Sequence, residues 1–173
     1  RAVAHKVLDL CCDTATALMA EDIHFGLMGS TSGSLSIAQG VDIEYIWTHE
    51  VLGSVESLVA KKNIKKPQDL IGKKIATPFS STAHFSLLKY LELNDIKESD
   101  VTLVDMQTAE IYTAWESEQI DAAYIWEPTL SQMSGTHLLT TGADMAKAGF
   151  MTSNVEVVRT AFAKDHPEVV EGY

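Results

Sequence analysis

The stretch Pro78-Phe79-Ser80-Ser81-Thr82-Ala83-His84 concentrates hydroxyl groups where a strand gives way to a helix. The run 74–77 reads as a strand closed by Pro78, and residues 81–93 carry Phe85, Leu88 and Leu91 at helical spacing. A helix start leaves backbone N–H groups without intrahelical acceptors, and its dipole favours negative charge. Ser80, Ser81 and Thr82 are therefore candidates for holding a small anion, whether sulfonate, phosphate, nitrate or carboxylate. The competing reading is that Ser80 or Ser81 only caps the helix. Gly29-Ser30-Thr31 stands at a second strand-to-helix turn, with the same chemistry and the same alternative of ordinary turn residues.

Trp126-Glu127-Pro128 follows the apolar run 122–125, so an indole and a carboxylate leave a sheet at a strand's carboxyl edge. There the indole can wall a pocket and Glu127 can hold a cation such as an ammonium. Against this stands a packed Trp and a carboxylate that stabilises the start of the next helix. Trp47, with Thr48, His49 and Glu50, carries the same ambiguity.

Several catalytic patterns fail on spacing. Gly29-Ser30-Thr31-Ser32-Gly33 puts Thr where a nucleophile elbow needs Ser. His49-Glu50 does not continue to the second His of a zincin, because position 53 is Gly. There is no P-loop and no dinucleotide glycine fingerprint, and His5, His24, His49, His84, His137 and His166 form no close metal-ligand pair. No catalytic residue, metal or cofactor is expected. The adjacent Cys11 and Cys12 rarely satisfy disulfide geometry and read as small buried hydrophobes.

The elements that must position these residues alternate along the chain. Strands are expected over 23–28, 43–47, 56–60, 74–77, 101–104, 122–126 and 155–158. Helices are expected over 35–39, 81–93, 109–117, after Pro128, and over 160–170. That alternation predicts parallel βαβ units, an α/β protein with sites at the carboxyl ends of strands. The basic, Pro-terminated run 61–67 is the expected domain boundary.

With 13 Lys and Arg against 24 Asp and Glu in 173 residues, the chain carries a formal net charge of −11, which argues against a nucleic-acid partner. Apolar residues make up 46% of it, enough for a packed core. No apolar stretch approaches the ~20 residues that span a bilayer, and no signal peptide is expected at the N-terminus.

Three segments, KKPQDLIGKKIATPFSSTAHFSLLKYL (65–91), DAAYIWEP (121–128) and VVRTAFAKDHPEVV (157–170), resemble the periplasmic taurine-binding proteins of sulfonate ABC transporters. FGLMGSTSGSLSIAQGVDIE and GSVESLVAKK extend the similarity from about Asp22 to the C-terminus, with a weaker patch at 135–149. The resemblance implies a two-lobed, class II binding-protein fold that traps its ligand by a hinge. Residues 1–61 with 153–173 would form a partial first lobe and 62–152 the second. It assigns Ser81, Thr82 and His84 to an anion-holding helix start, Gly29, Ser30 and Thr31 to a facing turn, and Trp126 to a cleft wall. Two positions depart from the family: Glu127 replaces an Ala, and Asn154 stands where an Asp suited to an amine is usual, which suggests a relocated ammonium contact. The family's first strand and later helices would lie outside this sequence, so the fold is expected to be truncated at both ends.

The function implied is an extracytoplasmic solute-binding component that passes taurine or a related alkanesulfonate to a membrane permease, as a monomer in the periplasm or anchored outside the cell. The net acidity favours a zwitterion over a net anion, whose capture it would slow. The alternatives are an enzyme of the same fold acting on a pyrimidine precursor, or a sensory ligand-binding domain.

Overall fold

The computed structural model describes residues 11–173. The expectations for the opening segment, and for the side chains of Cys11 and Cys12, lie outside the described residues. The chain divides into two compact units, one made of residues up to Val51 together with Ser153–Tyr173, the other of Leu52–Thr152.

The first unit begins with α1 (Cys11–Met19), β1 (Phe25–Gly29), α2 (Ser30–Ala38) and β2 (Ile43–Val51). Its sheet has the order β1, β8, β2, where β8 (Ser153–Arg159) returns from the far end of the sequence and pairs antiparallel with both neighbours. Leu18, Met28, Ile43, Val155 and Val157 form its core.

The second unit contains β3 (Glu56–Lys61), β4 (Lys74–Thr77), α3 (Thr82–Leu93), β5 (Thr102–Asp105), α4 (Thr108–Glu116), β6 (Ala122–Trp126), α5 (Thr129–Gln132), β7 (Thr136–Thr141) and α6 (Gly142–Lys147). The strand order is β5, β4, β6, β3, β7. Alternation along the strands splits its interior into two layers. Leu58, Ala60, Ala122 and Tyr124 pack with Ala83, Leu87 and Leu91 of α3. Val59, Ala76, Ala123 and Ile125 pack with Ile111, Ala114 and Trp115 of α4.

Four expectations change. Only β4 with β5 and β4 with β6 pair parallel; β3 runs antiparallel to β6 and β7, and the first unit's sheet is wholly antiparallel. The run 61–67 is not the boundary: β3 hydrogen-bonds into the second unit's sheet and Ile64 is buried in its core, so the division falls at Val51 and Leu52. The segment 29–33 is not an open turn, because α2 starts at Ser30 directly after β1. The helix expected over 160–170 is two, α7 (Thr160–Asp165) and α8 (Pro167–Glu171), because Pro167 lacks the N–H that would continue α7. Among the described residues no helix is long and apolar enough to cross a membrane.

Candidate functional site

The carboxyl edge of the parallel strands in the second unit carries the most structured cluster of candidate residues. Leaving β4 at Thr77, the chain turns through Pro78 to Ser81 and enters α3. The Phe79 N–H donates to Asp105 Oδ1 at 2.9 Å, which ties this loop to the end of β5. Ser80 takes a positive φ of 62°, in the left-handed region a serine seldom adopts. Its N–H donates to His84 Nδ1 at 3.2 Å, and the His84 ring stacks on Phe79 with centroids 4.4 Å apart. Burial holds the His84 pKa below its ordinary value, opposed by the nearby charges of Glu98 and Asp105. A neutral ring accepting at Nδ1 suits this arrangement, so His84 acts on the loop's geometry.

Ser81 is the helix cap. Its Oγ accepts from the His84 N–H at 3.2 Å and donates to the Pro78 carbonyl at 2.6 Å. The hydroxyl of Thr82 points inward, donating to Glu56 Oε1. Both side chains are buried. With the His84 and Phe85 N–H groups bonded back to Ser81, the N–H groups of Thr82 and Ala83 are the donors that a helix start leaves over. The capping alternative therefore accounts for the Ser81 hydroxyl, and the donors this helix start leaves over are backbone N–H groups.

Glu56 has no place in the sequence-based set of candidates. It opens β3 opposite Trp126 of β6 and is 3% exposed, with Oε1 on Thr82 and Oε2 lacking a hydrogen-bond partner. Burial raises its pKa to about 7, against a lowering contribution from the Thr82 hydroxyl. The available signal was alternation: Glu56 shares a strand face with Leu58 and Ala60, which places a carboxyl on a core-facing side. Trp126 is half-buried and packs against the same core layer.

Glu127 is engaged elsewhere. Its two carboxylate oxygens accept from the Ser131 N–H at 3.0 Å and the Ser131 hydroxyl at 2.7 Å, which caps α5. The helix-stabilising alternative describes this side chain.

In the first unit, Gly29 and Asn154 are register partners across β1 and β8. Ser30 Oγ accepts the Ser153 N–H at 3.2 Å, and Asn154 Nδ2 donates to Glu50 Oε1 at 2.8 Å. Thr31 lies in the first turn of α2. Gly29, Ser30 and Asn154 thus come together where β1 ends, with Thr31 next in α2, and Ser80, Ser81, Thr82 and His84 come together at the start of α3, with Trp126 related to them through Glu56. Among the described residues no cluster of His, Cys, Asp and Glu is arranged to hold a metal ion.

Known proteins share this fold and these sequences. The chain is 41% identical over 158 residues to a taurine-binding periplasmic protein of Escherichia coli, covering 91% of this chain and 49% of that protein. It is 30% identical over 160 residues to a putative aliphatic sulfonates-binding protein of Bacillus subtilis, covering 88% and 47%. The chain thus spans about half the length of these relatives. Among solved structures, the periplasmic aliphatic sulphonate-binding protein SsuA of Escherichia coli superposes with a TM-score of 0.79 at 22% identity, over 95% of this chain and 57% of that one. The alkanesulfonate-binding protein SsuA of Xanthomonas axonopodis, bound to MOPS, gives 0.79 at 24% over 91% and 55%. These matches show the α/β fold of periplasmic solute-binding proteins that the sequence led us to expect. The NMT1/THI5-like family model matches residues 11–172, and the chain belongs to that family.

Proposed function

We propose that this chain is part of an extracytoplasmic solute-binding component of an ABC importer, which binds taurine or a related small alkanesulfonate and delivers it to a membrane permease. The carrying observation is the start of α3, where a strained, side-chain-braced loop holds the Thr82 and Ala83 N–H groups at a strand's carboxyl edge. Such a start binds an anionic head through backbone dipoles and needs no cationic side chain. In this reading Ser80, Ser81 and His84 fix the loop, Thr82 contributes its N–H, and Trp126 supplies an apolar wall. Gly29, Ser30, Thr31 and Asn154 form a second polar edge, within the first unit. The taurine- and sulfonate-binding names of the relatives favour this substrate class, and the periplasmic name of the Escherichia coli relative favours that compartment here. Binding is the whole activity: the ligand leaves with its bonds unchanged, and the protein works as a monomer.

The test is a calorimetric and thermal-shift panel on the full-length protein with taurine, ethanesulfonate, nitrate and glycine betaine. Stabilisation by the two sulfonates and not by glycine betaine is expected, because a ligand that binds only the folded state raises its melting temperature. No stabilisation by any sulfonate overturns the proposal.

A further inference from the structure

Glu56 lies one side chain behind the N–H groups that open α3, joined to that helix by the Thr82 hydroxyl. One of its carboxyl oxygens is buried without any hydrogen-bond partner. A buried polar atom left unmatched is uncommon in folded proteins and calls for an explanation. The groups around it bring no positive charge. Thr82 faces it from α3 and Trp126 from β6. Tyr124 of β6 interacts electrostatically with both Glu56 and Asp144 of α6, and Ser86 of α3 lies beside Tyr124. The ionisable group in this surround is thus a phenol, itself buried without a hydrogen-bond partner, and among the described residues no positive charge is placed to hold Glu56 ionised.

We propose that an anion seated on the Thr82 and Ala83 N–H groups is captured together with a proton on Glu56, so that this site takes anion and proton as a unit. The inference rests on the reading of the α3 start as the anion site. The proton passes from solvent to the Glu56 carboxylate, giving the neutral acid, and returns to solvent when the anion leaves; no other bond changes. The physical reason is repulsion. An ionised carboxyl a few ångströms behind a bound anion, in a medium screened far less than water, weakens binding by a factor on the order of ten or more. Burial already sets the carboxyl to titrate near neutrality, where this coupling has its effect. The unmatched oxygen is the atom that would carry the proton.

The experiment uses full-length protein and two probes, ethanesulfonate and taurine. Affinity is measured by calorimetry from pH 5.5 to 8.5 in buffers that are not sulfonates, and proton exchange is followed by pH-stat in unbuffered solution. Ethanesulfonate is expected to draw up a fraction of a proton near pH 7.5, and its affinity to fall up to about tenfold per pH unit above the Glu56 pKa. Taurine, whose ammonium offsets part of the repulsion, is expected to show a smaller uptake. Glu56→Gln should bind both with a pH-independent affinity close to the wild-type value at pH 6. A wild-type affinity that is flat across the range, with no proton uptake, overturns the proposal without recourse to any variant. So does a Glu56→Gln protein that keeps the wild-type pH dependence, or one that loses binding at pH 6, which would make the carboxyl a direct ligand contact. Absence of sulfonate binding by the wild type at pH 6 is a different failure: it removes the anion-site reading itself, and this proposal with it.

Discussion

Glu56 sits directly opposite Trp126 in the antiparallel pair of β3 and β6, with its carboxyl joined to Thr82 at the first residue of α3. One residue thus pairs with Trp126 through the sheet and with the start of α3 through its carboxyl. It is also held in a setting that disfavours its charge. The second unit therefore places a titratable group immediately behind the start of α3.

The occupied hydroxyl of Ser81 sets the first expectation. Because it accepts from the His84 N–H and donates to the Pro78 carbonyl, Ser81→Ala removes a cap and should cost about 1 kcal/mol of stability. Sulfonate affinity should fall by no more than a few-fold, since the donors of the proposed site are main-chain groups. Urea denaturation and calorimetry on the same preparation separate the two effects. A loss of affinity beyond about tenfold with unchanged stability would show that the hydroxyl contacts the ligand.

Glu127 provides a converse case. Both of its oxygens are engaged by Ser131, so Glu127→Gln is expected to change taurine affinity by less than about twofold and to weaken the cap of α5 slightly. Taurine and ethanesulfonate titrations against this variant decide the matter. A selective loss of taurine binding would restore Glu127 as an ammonium contact.

Much of this architecture is readable in the sequence alone. The bounds of β4 and β6 match the expected 74–77 and 122–126, because short apolar runs bounded by Pro78 and by Trp126-Glu127-Pro128 leave little freedom. The start of α3 was legible for a similar reason: hydroxyls before a helical period mark a cap. Strand direction was not legible. Alternating strands and helices suggest parallel pairing, yet β3 and β7 run antiparallel within the same sheet, and local sequence does not encode which neighbour a strand will meet. The unit boundary failed for the same reason, since the pairing of β3 with β6 outweighs the basic run that follows it. Glu56 was missed because a lone carboxylate at a strand's first position reads as a solvated end until Thr82 is known to face it.

Gly142, the first residue of α6, tests packing at the edge of the second unit. A Cβ placed there would lie 2.6 Å from the Gly53 carbonyl oxygen, a backbone atom that cannot rotate away. Gly142→Ala should therefore destabilise by roughly 1–3 kcal/mol, the usual cost of overpacking, and lower the melting temperature by several degrees. An unchanged melting temperature would mean that residues 52–54 shift freely to admit the methyl group.

The raised pKa of Glu56 makes a prediction about stability whose sign is fixed by linkage. In the unfolded chain this carboxyl titrates near its ordinary value of 4.5, and in the folded chain at about 7. Between those values the folded state holds a proton that the unfolded state has released, so raising the pH favours unfolding. The stabilising contribution is complete below the unfolded value and is lost as pH rises through the folded one, a total on the order of 3 kcal/mol. Asp69 and Asp144, whose pKa values are lowered by hydrogen bonds, act in the opposite direction at more acidic pH. Comparing wild type with Glu56→Gln cancels their share. Urea unfolding of both proteins at pH 5 and pH 8 should show the wild type losing stability relative to the Gln variant as pH rises. A constant difference between them would mean that Glu56 is already ionised in the folded protein at pH 5, and that its unmatched oxygen finds a donor such as bound water.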